Sequence, residues 1–157
     1  MLLRRIVAAA TCAAALWASL VVAQATPLTK TGNLLPSVSI SNNSGGNIAA
    51  FAVAVARYRG AGTLVMFNGR CDSACTLFLG LPAHQTCISR GAFFRFHSPS
   101  AGSMRSERLA QAYLMRKYPS WVRAWIARKN GLTHRLITMN YNYASQFMQT
   151  CDAVASR

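Results

Sequence analysis

The sequence predicts an α/β domain in which crossover units build a mostly parallel sheet and a helical region forms the C-terminal part. Three observations predict it. Short β-branched or aromatic runs alternate with longer apolar runs between Leu34 and Phe96, turn-forming residues mark the junctions, and apolar residues after Ser106 recur at helical spacing. With 157 residues, 52% of them apolar, the chain has core material for one compact domain and not two.

The elements follow in order. Residues 1–25 read as a secretory signal peptide. Arg4 and Arg5 precede an apolar run from Ile6 to Ala23, and Ala23-Gln24-Ala25 supplies small residues for cleavage. An uncleaved anchor is the alternative, because the run approaches the ~20 residues that span a bilayer. The expected localisation is therefore periplasmic or secreted. Residues 26–40 read as a polar segment ending in a short strand, Leu34 to Ile40, and residues 41–157 as one α/β domain. Ser41 to Asn47 is a dense turn signal. Ile48 to Tyr58, almost wholly apolar, is expected to be a helix packed on a sheet, closed by Gly60 and Gly62. Thr63 to Phe67 reads as a buried strand, Asn68-Gly69 as a turn, and Ser73 to Leu81 as a short helix ending at Gly80 and Pro82. A further strand, Ala92 to Phe96, runs into His97-Ser98-Pro99.

In parallel crossover sheets, functional groups gather at the carboxyl ends of the strands. Three candidates fall there: the Gly45-Gly46 turn, the Cys71 to Cys75 turn containing Ser73, and His97. A serine at a helix start is held exposed and feels the positive end of the helix dipole. His97 can take its proton as general base. The backbone N–H of Ala74, with one from Gly45 or Gly46, can form an oxyanion hole, since glycine lets backbone approach a substrate carbonyl closely.

These residues carry a resemblance. Asn43-Ser44-Gly45-Gly46-Asn47 resembles the Ser-Pro-Gly-Gly-Ser turn of the Clp protease proteolytic subunit and its ClpP/crotonase superfamily, with Ser44 in place of proline. Gly69-Arg70-Cys71-Asp72-Ser73-Ala74 resembles the segment bearing that family's nucleophilic serine, and Phe96-His97-Ser98-Pro99 the one bearing its base. The separation of 24 residues between Ser73 and His97 is close to the family's spacing, and the matching stretch, Asn42 to Pro99, covers 58 of 157 residues. The run Cys71 to Leu79, with Cys87 and Phe96-His97, resembles the exported branch of that superfamily. The resemblance implies a ClpP-like serine peptidase that needs no cofactor, cleaves a peptide or protein, and can act as an oligomer. Relative to the family, the chain is expected to be truncated at its N-terminal side, without the strand and helix that precede the glycine turn.

The family also implies an acid some fifty residues after the histidine. Seventeen Lys+Arg stand against three Asp+Glu, so the choice beyond His97 lies between Glu107 and Asp152. Asp152 has the right separation and is the expected third catalytic residue; Asn140 and Asn142 are neutral substitutes, and a Ser-His dyad is the other option. Asp72, next to Ser73, is expected to point away from the site. The same scarcity weakens glycosidase and calcium-site readings, which need several carboxylates.

Export makes Cys71, Cys75, Cys87 and Cys151 an even set of disulfide candidates with three pairings. Cys71 or Cys75 joined to Cys87 or Cys151 would brace the serine turn. Cys71, Cys75, His84 and Cys87 match no closed zinc spacing, so no metal is expected.

The C-terminal third is different in kind. Eight basic residues lie between Arg105 and Arg135 against Glu107, interleaved with Tyr113, Tyr118, Trp121 and Trp125. Ser106 to Lys117 and Trp121 to Lys129 read as two helices divided by Pro119. Leu109, Ala112, Tyr113 and Arg116 share one face; Trp121, Val122 and Trp125 form another apolar stripe, with Arg123, Arg128 and Lys129 facing water. Removing the signal takes away Arg4 and Arg5 and leaves a charge of +12. An anionic membrane or cell-wall surface is the partner this charge would favour in a catalytically silent domain. Export and the absence of a base-reading motif argue against specific nucleic acid.

Overall fold

The computed structural model describes residues 36–155; the expected signal peptide and the first residues of the expected strand lie outside them. In chain order the elements are β1 (Ser37–Asn43), α1 (Ile48–Ala61), β2 (Leu64–Asp72), a 3-10 helix (Ser73–Gly80), a 3-10 turn (Ala83–Gln85), β3 (Thr86–Ile88) and β4 (Phe93–Phe96). There follow α2 (Met104–Lys117), α3 (Ser120–Arg128), β5 (Ile137–Asn140), α4 (Tyr141–Ala144) and α5 (Cys151–Ala155). The sheet runs β1-β2-β4-β5, with β3 also on β2. β1, β3 and β4 are parallel to β2, and β5 is antiparallel to β4. The expected mixed α/β fold with a mostly parallel sheet is what the chain forms. β3 and β4 share one edge of β2: β3 pairs with Val65 to Phe67 and β4 with Arg70 to Asp72.

Three elements differ from expectation. Asn68-Gly69 is no turn, because β2 continues to Asp72. The register of β1 on β2 shifts between Ile40 and Asn42, and this bulge presses against Gly69, where a Cβ would lie 2.1 Å from the Ser41 carbonyl oxygen. That glycine serves close backbone approach. Asn68 spans the same region, donating to Ser39 Oγ at 2.6 Å and accepting from Ser89 Oγ at 2.5 Å. Secondly, α1 lies against the 3-10 helix, with the rings of Phe51 and Tyr58 at 5.7 Å and 5.4 Å from Phe78, and none of its residues is fully buried. Thirdly, the face of α2 bearing Leu109, Ala112 and Arg116 looks outward, and the buried residue is Leu114.

Elsewhere the pattern dictates the packing. Alternate residues of β2 and β4 point inward, so Val65, Phe67, Cys71, Phe94 and Phe96 are buried. Phe67 meets Phe94 edge-on at 4.9 Å, and Phe96 packs against Tyr118 and Trp125. Val122, Trp125 and Ile126 give α3 its core stripe. Arg123, Arg128 and Lys129 are exposed, yet they are not simply solvated. Arg123 donates to the Tyr118 carbonyl, Arg128 to Tyr143 Oη at 2.6 Å, and Lys129 sits over the Trp125 ring. Asn47 caps α1, accepting from the Ala50 N–H, and Gly62 ends it with φ 66°.

Candidate functional site

The parallel strands β1, β2 and β4 deliver three segments to one end of the sheet. β2 ends at Asp72, whose carboxylate does not cap the following helix. It is turned aside and held by Arg95, its partner across the β2–β4 pairing, through Nε–Oδ1 at 2.8 Å and Nη2–Oδ2 at 2.5 Å. The hydrogen bond to Asp72 raises the Arg95 pKa, burial opposes it, and the charge of Asp72 adds to the rise. The expectation that Asp72 points away from Ser73 agrees with this pairing.

Ser73 follows with φ 52°, one of two non-glycine residues with positive φ among those described. A left-handed serine is disfavoured by its Cβ and persists only where its surroundings hold it. Two braces do so. A disulfide joins Cys71 and Cys75 across the turn, with Cα atoms 5.4 Å apart. On the other side, Thr76 Oγ1 donates to the Ser73 carbonyl at 2.6 Å and lies 2.6 Å from Tyr118 Oη. Since the threonine proton is already used, Tyr118 must donate. Burial pushes the Tyr118 hydroxyl up to about 12, so it keeps that proton.

Of the three pairings open to the four cysteines, the structure takes Cys71–Cys75 with Cys87–Cys151, and the turn is not bridged to Cys87 or Cys151. Cys87 stands opposite Met66 on β2, five residues before Cys71 along the strand, whereas the strand-to-helix turn folds Cys75 back onto Cys71. Cys87 instead pairs with Cys151, fastening α5 beside β3. Such bridges belong to oxidising compartments. Among the described residues, no helix is long and apolar enough to cross a membrane.

His97 begins immediately after β4. Its Nε2 lies 2.8 Å from Ser73 Oγ, and its Nδ1 lies 2.7 Å from the carbonyl oxygen of Ser98. A carbonyl can only accept, so the proton resides on Nδ1 and Nε2 presents a lone pair to the serine. Ser98 is fixed in turn: its N–H donates to the Thr133 carbonyl at 2.7 Å, and its Oγ is 3.2 Å from His134 Nδ1. Asp152 neither hydrogen-bonds nor ion-pairs with His97; it is exposed on α5, and the Nδ1 position is taken. Asn140 is likewise occupied elsewhere, capping α4 by accepting from the Tyr143 N–H. The sequence reading missed Ser98, because a backbone carbonyl leaves no trace in composition.

Gly45 and Gly46, with φ 79° and 144°, bring the end of β1 to the serine. A Cβ on Gly45 would lie 2.5 Å from the Asp72 oxygen, 2.8 Å from Ser73 Cβ and 2.9 Å from the Ala74 nitrogen. Only glycine allows that approach. The Gly45 N–H is already donated to Asn43 Oδ1 at 2.8 Å, which removes it from the expected oxyanion donors. The Gly46 N–H has no hydrogen-bond partner among the described residues, and Ala74, in the first turn of its helix, has no intrahelical partner for its own. Ser73, His97 and Gly46 line a cleft of about 410 Å³, walled by Ile48 and Ala49 of α1 and Ala110 and Leu114 of α2. No charged side chain lines it.

No protein-family model matches the chain, and no curated protein does. Among solved structures it is similar to a mutant of ClpP1 from Listeria monocytogenes, at 14% identity and TM-score 0.47, covering 76% of this chain and 78% of that one. It is also similar to a peptidase from Plasmodium falciparum, at 8% identity and TM-score 0.48, covering 71% of this chain and 75% of that one.

Proposed function

We propose that the chain is an exported serine hydrolase that cleaves amides or esters, with a peptide as the favoured substrate. One observation carries this reading: a left-handed Ser73 whose Oγ lies 2.8 Å from His97 Nε2, with the other ring nitrogen engaged so that Nε2 is the acceptor. The resemblance of the glycine turn, the serine segment and the histidine segment to the ClpP/crotonase superfamily supports it.

Ser73 Oγ attacks the carbonyl carbon while its proton passes to Nε2, and the N–H groups of Gly46 and Ala74 receive the developing oxyanion. Collapse breaks the carbon–nitrogen bond, and His97 returns the proton to the departing amine. Water then enters, its oxygen bonding to the acyl carbon as its proton passes to Nε2; the bond from that carbon to Ser73 Oγ breaks, His97 returns the proton to Oγ, and the acid product leaves. The role that a carboxylate plays in other serine enzymes falls to the Ser98 carbonyl, which holds the tautomer without adding a charge.

A fluorophosphonate probe tests this. Wild-type protein should label, Ser73→Ala should not, and His97→Ala should label at least about a hundredfold more slowly. Labelling that persists in Ser73→Ala would overturn the assignment.

A further inference from the structure

α1 and α2 form a solvent-facing pair whose outer surface the proposed chemistry does not use. They run side by side in the same direction. Ile48 and Ala49 share the cleft with Ala110 and Leu114, and further along Ala56 and Arg59 share a small cavity with Tyr113 and Lys117. Their ends meet at Gly80: Arg59 donates to its carbonyl at 2.6 Å, and a Cβ there would lie 2.5 Å from the Lys117 oxygen.

The outward side of this pair is apolar and basic at once. On α2, Met104 is 75% exposed and Leu109 64%, between exposed Arg105, Arg108 and Arg116. Helical spacing puts all five on the arc opposite Ala110 and Leu114. On α1, Val53 is 70% exposed, with exposed Arg57 beside it. A helix apolar around its circumference ordinarily lies within a core; α1 has no fully buried residue. The pair carries six basic residues against Glu107. Among the described residues the ion pairs are Arg70–Asp72 and Arg95–Asp72, so none of these six is neutralised by an acid.

We infer that the outer face of α1 and α2 is an interfacial binding surface for an anionic lipid bilayer, with Met104, Leu109 and Val53 entering the acyl boundary and the arginines meeting the headgroups. Two features choose this occupant. The uncompensated cations would repel a second copy placed face to face, and a soluble polyanion would leave the large apolar side chains in water. A bilayer with acidic headgroups satisfies both, by apolar burial and by about 1 kcal/mol per basic residue near the surface.

The test is co-sedimentation of the protein, recovered after export, with vesicles of phosphatidylglycerol and phosphatidylcholine or of phosphatidylcholine alone. Binding should be at least tenfold stronger to the anionic vesicles and should weaken as salt rises. Met104→Ser with Leu109→Ser should lower it about tenfold, and Arg105→Gln, Arg108→Gln and Arg116→Gln together about a hundredfold, all with unchanged melting temperature. Ser73→Ala should bind as wild type, which separates this surface from the proposed catalysis. Equal binding to both vesicle types would overturn the inference. So would a serine double variant that binds as wild type while polyphosphate competes fully, which would point to a polyanion, or one that converts an oligomer to a monomer, which would point to a second copy.

Discussion

The two disulfides enclose very different lengths of chain: Cys71–Cys75 has a sequence separation of 4 and Cys87–Cys151 one of 64. The short bridge brackets Ser73 and is buried beneath the cleft that the serine lines. The long bridge lies away from the cleft and fastens the last helix, of 5 residues, to a strand of 3. Closing a short loop removes little freedom from the unfolded chain, whereas closing a long one removes more. The difference teaches that the same covalent bond serves local geometry in one place and global stability in the other.

The largest effect that would sharpen this contrast is on stability. Cys87→Ala with Cys151→Ala should cost about 4 kcal/mol in chemical unfolding, while fluorophosphonate labelling per folded molecule stays near wild type. A large loss of labelling at full folding would break the comparison. Next comes Tyr118, the other brace on the serine turn. Its folded pKa is raised above that of the unfolded chain, so the folded protein keeps a proton that the unfolded chain releases. The corresponding stability is present below about pH 10 and is lost as pH rises toward about 12, amounting to about 3 kcal/mol. Unfolding of wild type and Tyr118→Phe across that range checks it, and equal slopes would show that burial does not hold the Tyr118 proton in the folded protein. The smallest stability effect belongs to the short bridge. Cys71→Ala with Cys75→Ala should cost about 2 kcal/mol, yet slow labelling of Ser73 on the order of a hundredfold, because a serine free to leave φ 52° loses its alignment with His97.

What was legible in the sequence was local. The strand, glycine turn, helix and strand order follows from alternation and punctuation, and Ser73 and His97 stand out because each sits where such an element ends. The less legible parts depend on contacts distant in sequence or on backbone atoms. Gly69 reads as a turn until the bulged Ser41 is placed against it. The cysteine pairing depends on the β2–β3 register, which puts Cys87 beside Met66. β5, α4 and α5 have 4 or 5 residues each, too few to show a period. Asp152 was the natural choice for an orienting acid because only side chains can be read from a sequence; the atom facing His97 Nδ1 belongs to the main chain.

That main-chain acceptor moves the weak point of the site. An acid in the usual place can be deleted by one substitution, whereas every residue type at position 98 carries a carbonyl. What sets its direction is the residue that follows: Pro99 confines Ser98 to extended backbone, and the bond to Thr133 anchors the strand end. In the proposed mechanism the base is thus insensitive to the identity of residue 98 and sensitive to the path of the loop at 98–99. A peptide dipole also stabilises an imidazolium less than a full negative charge does, so in the proposed mechanism this chain's shortage of acid trades rate for a site that no single side-chain deletion can disarm at its orienter.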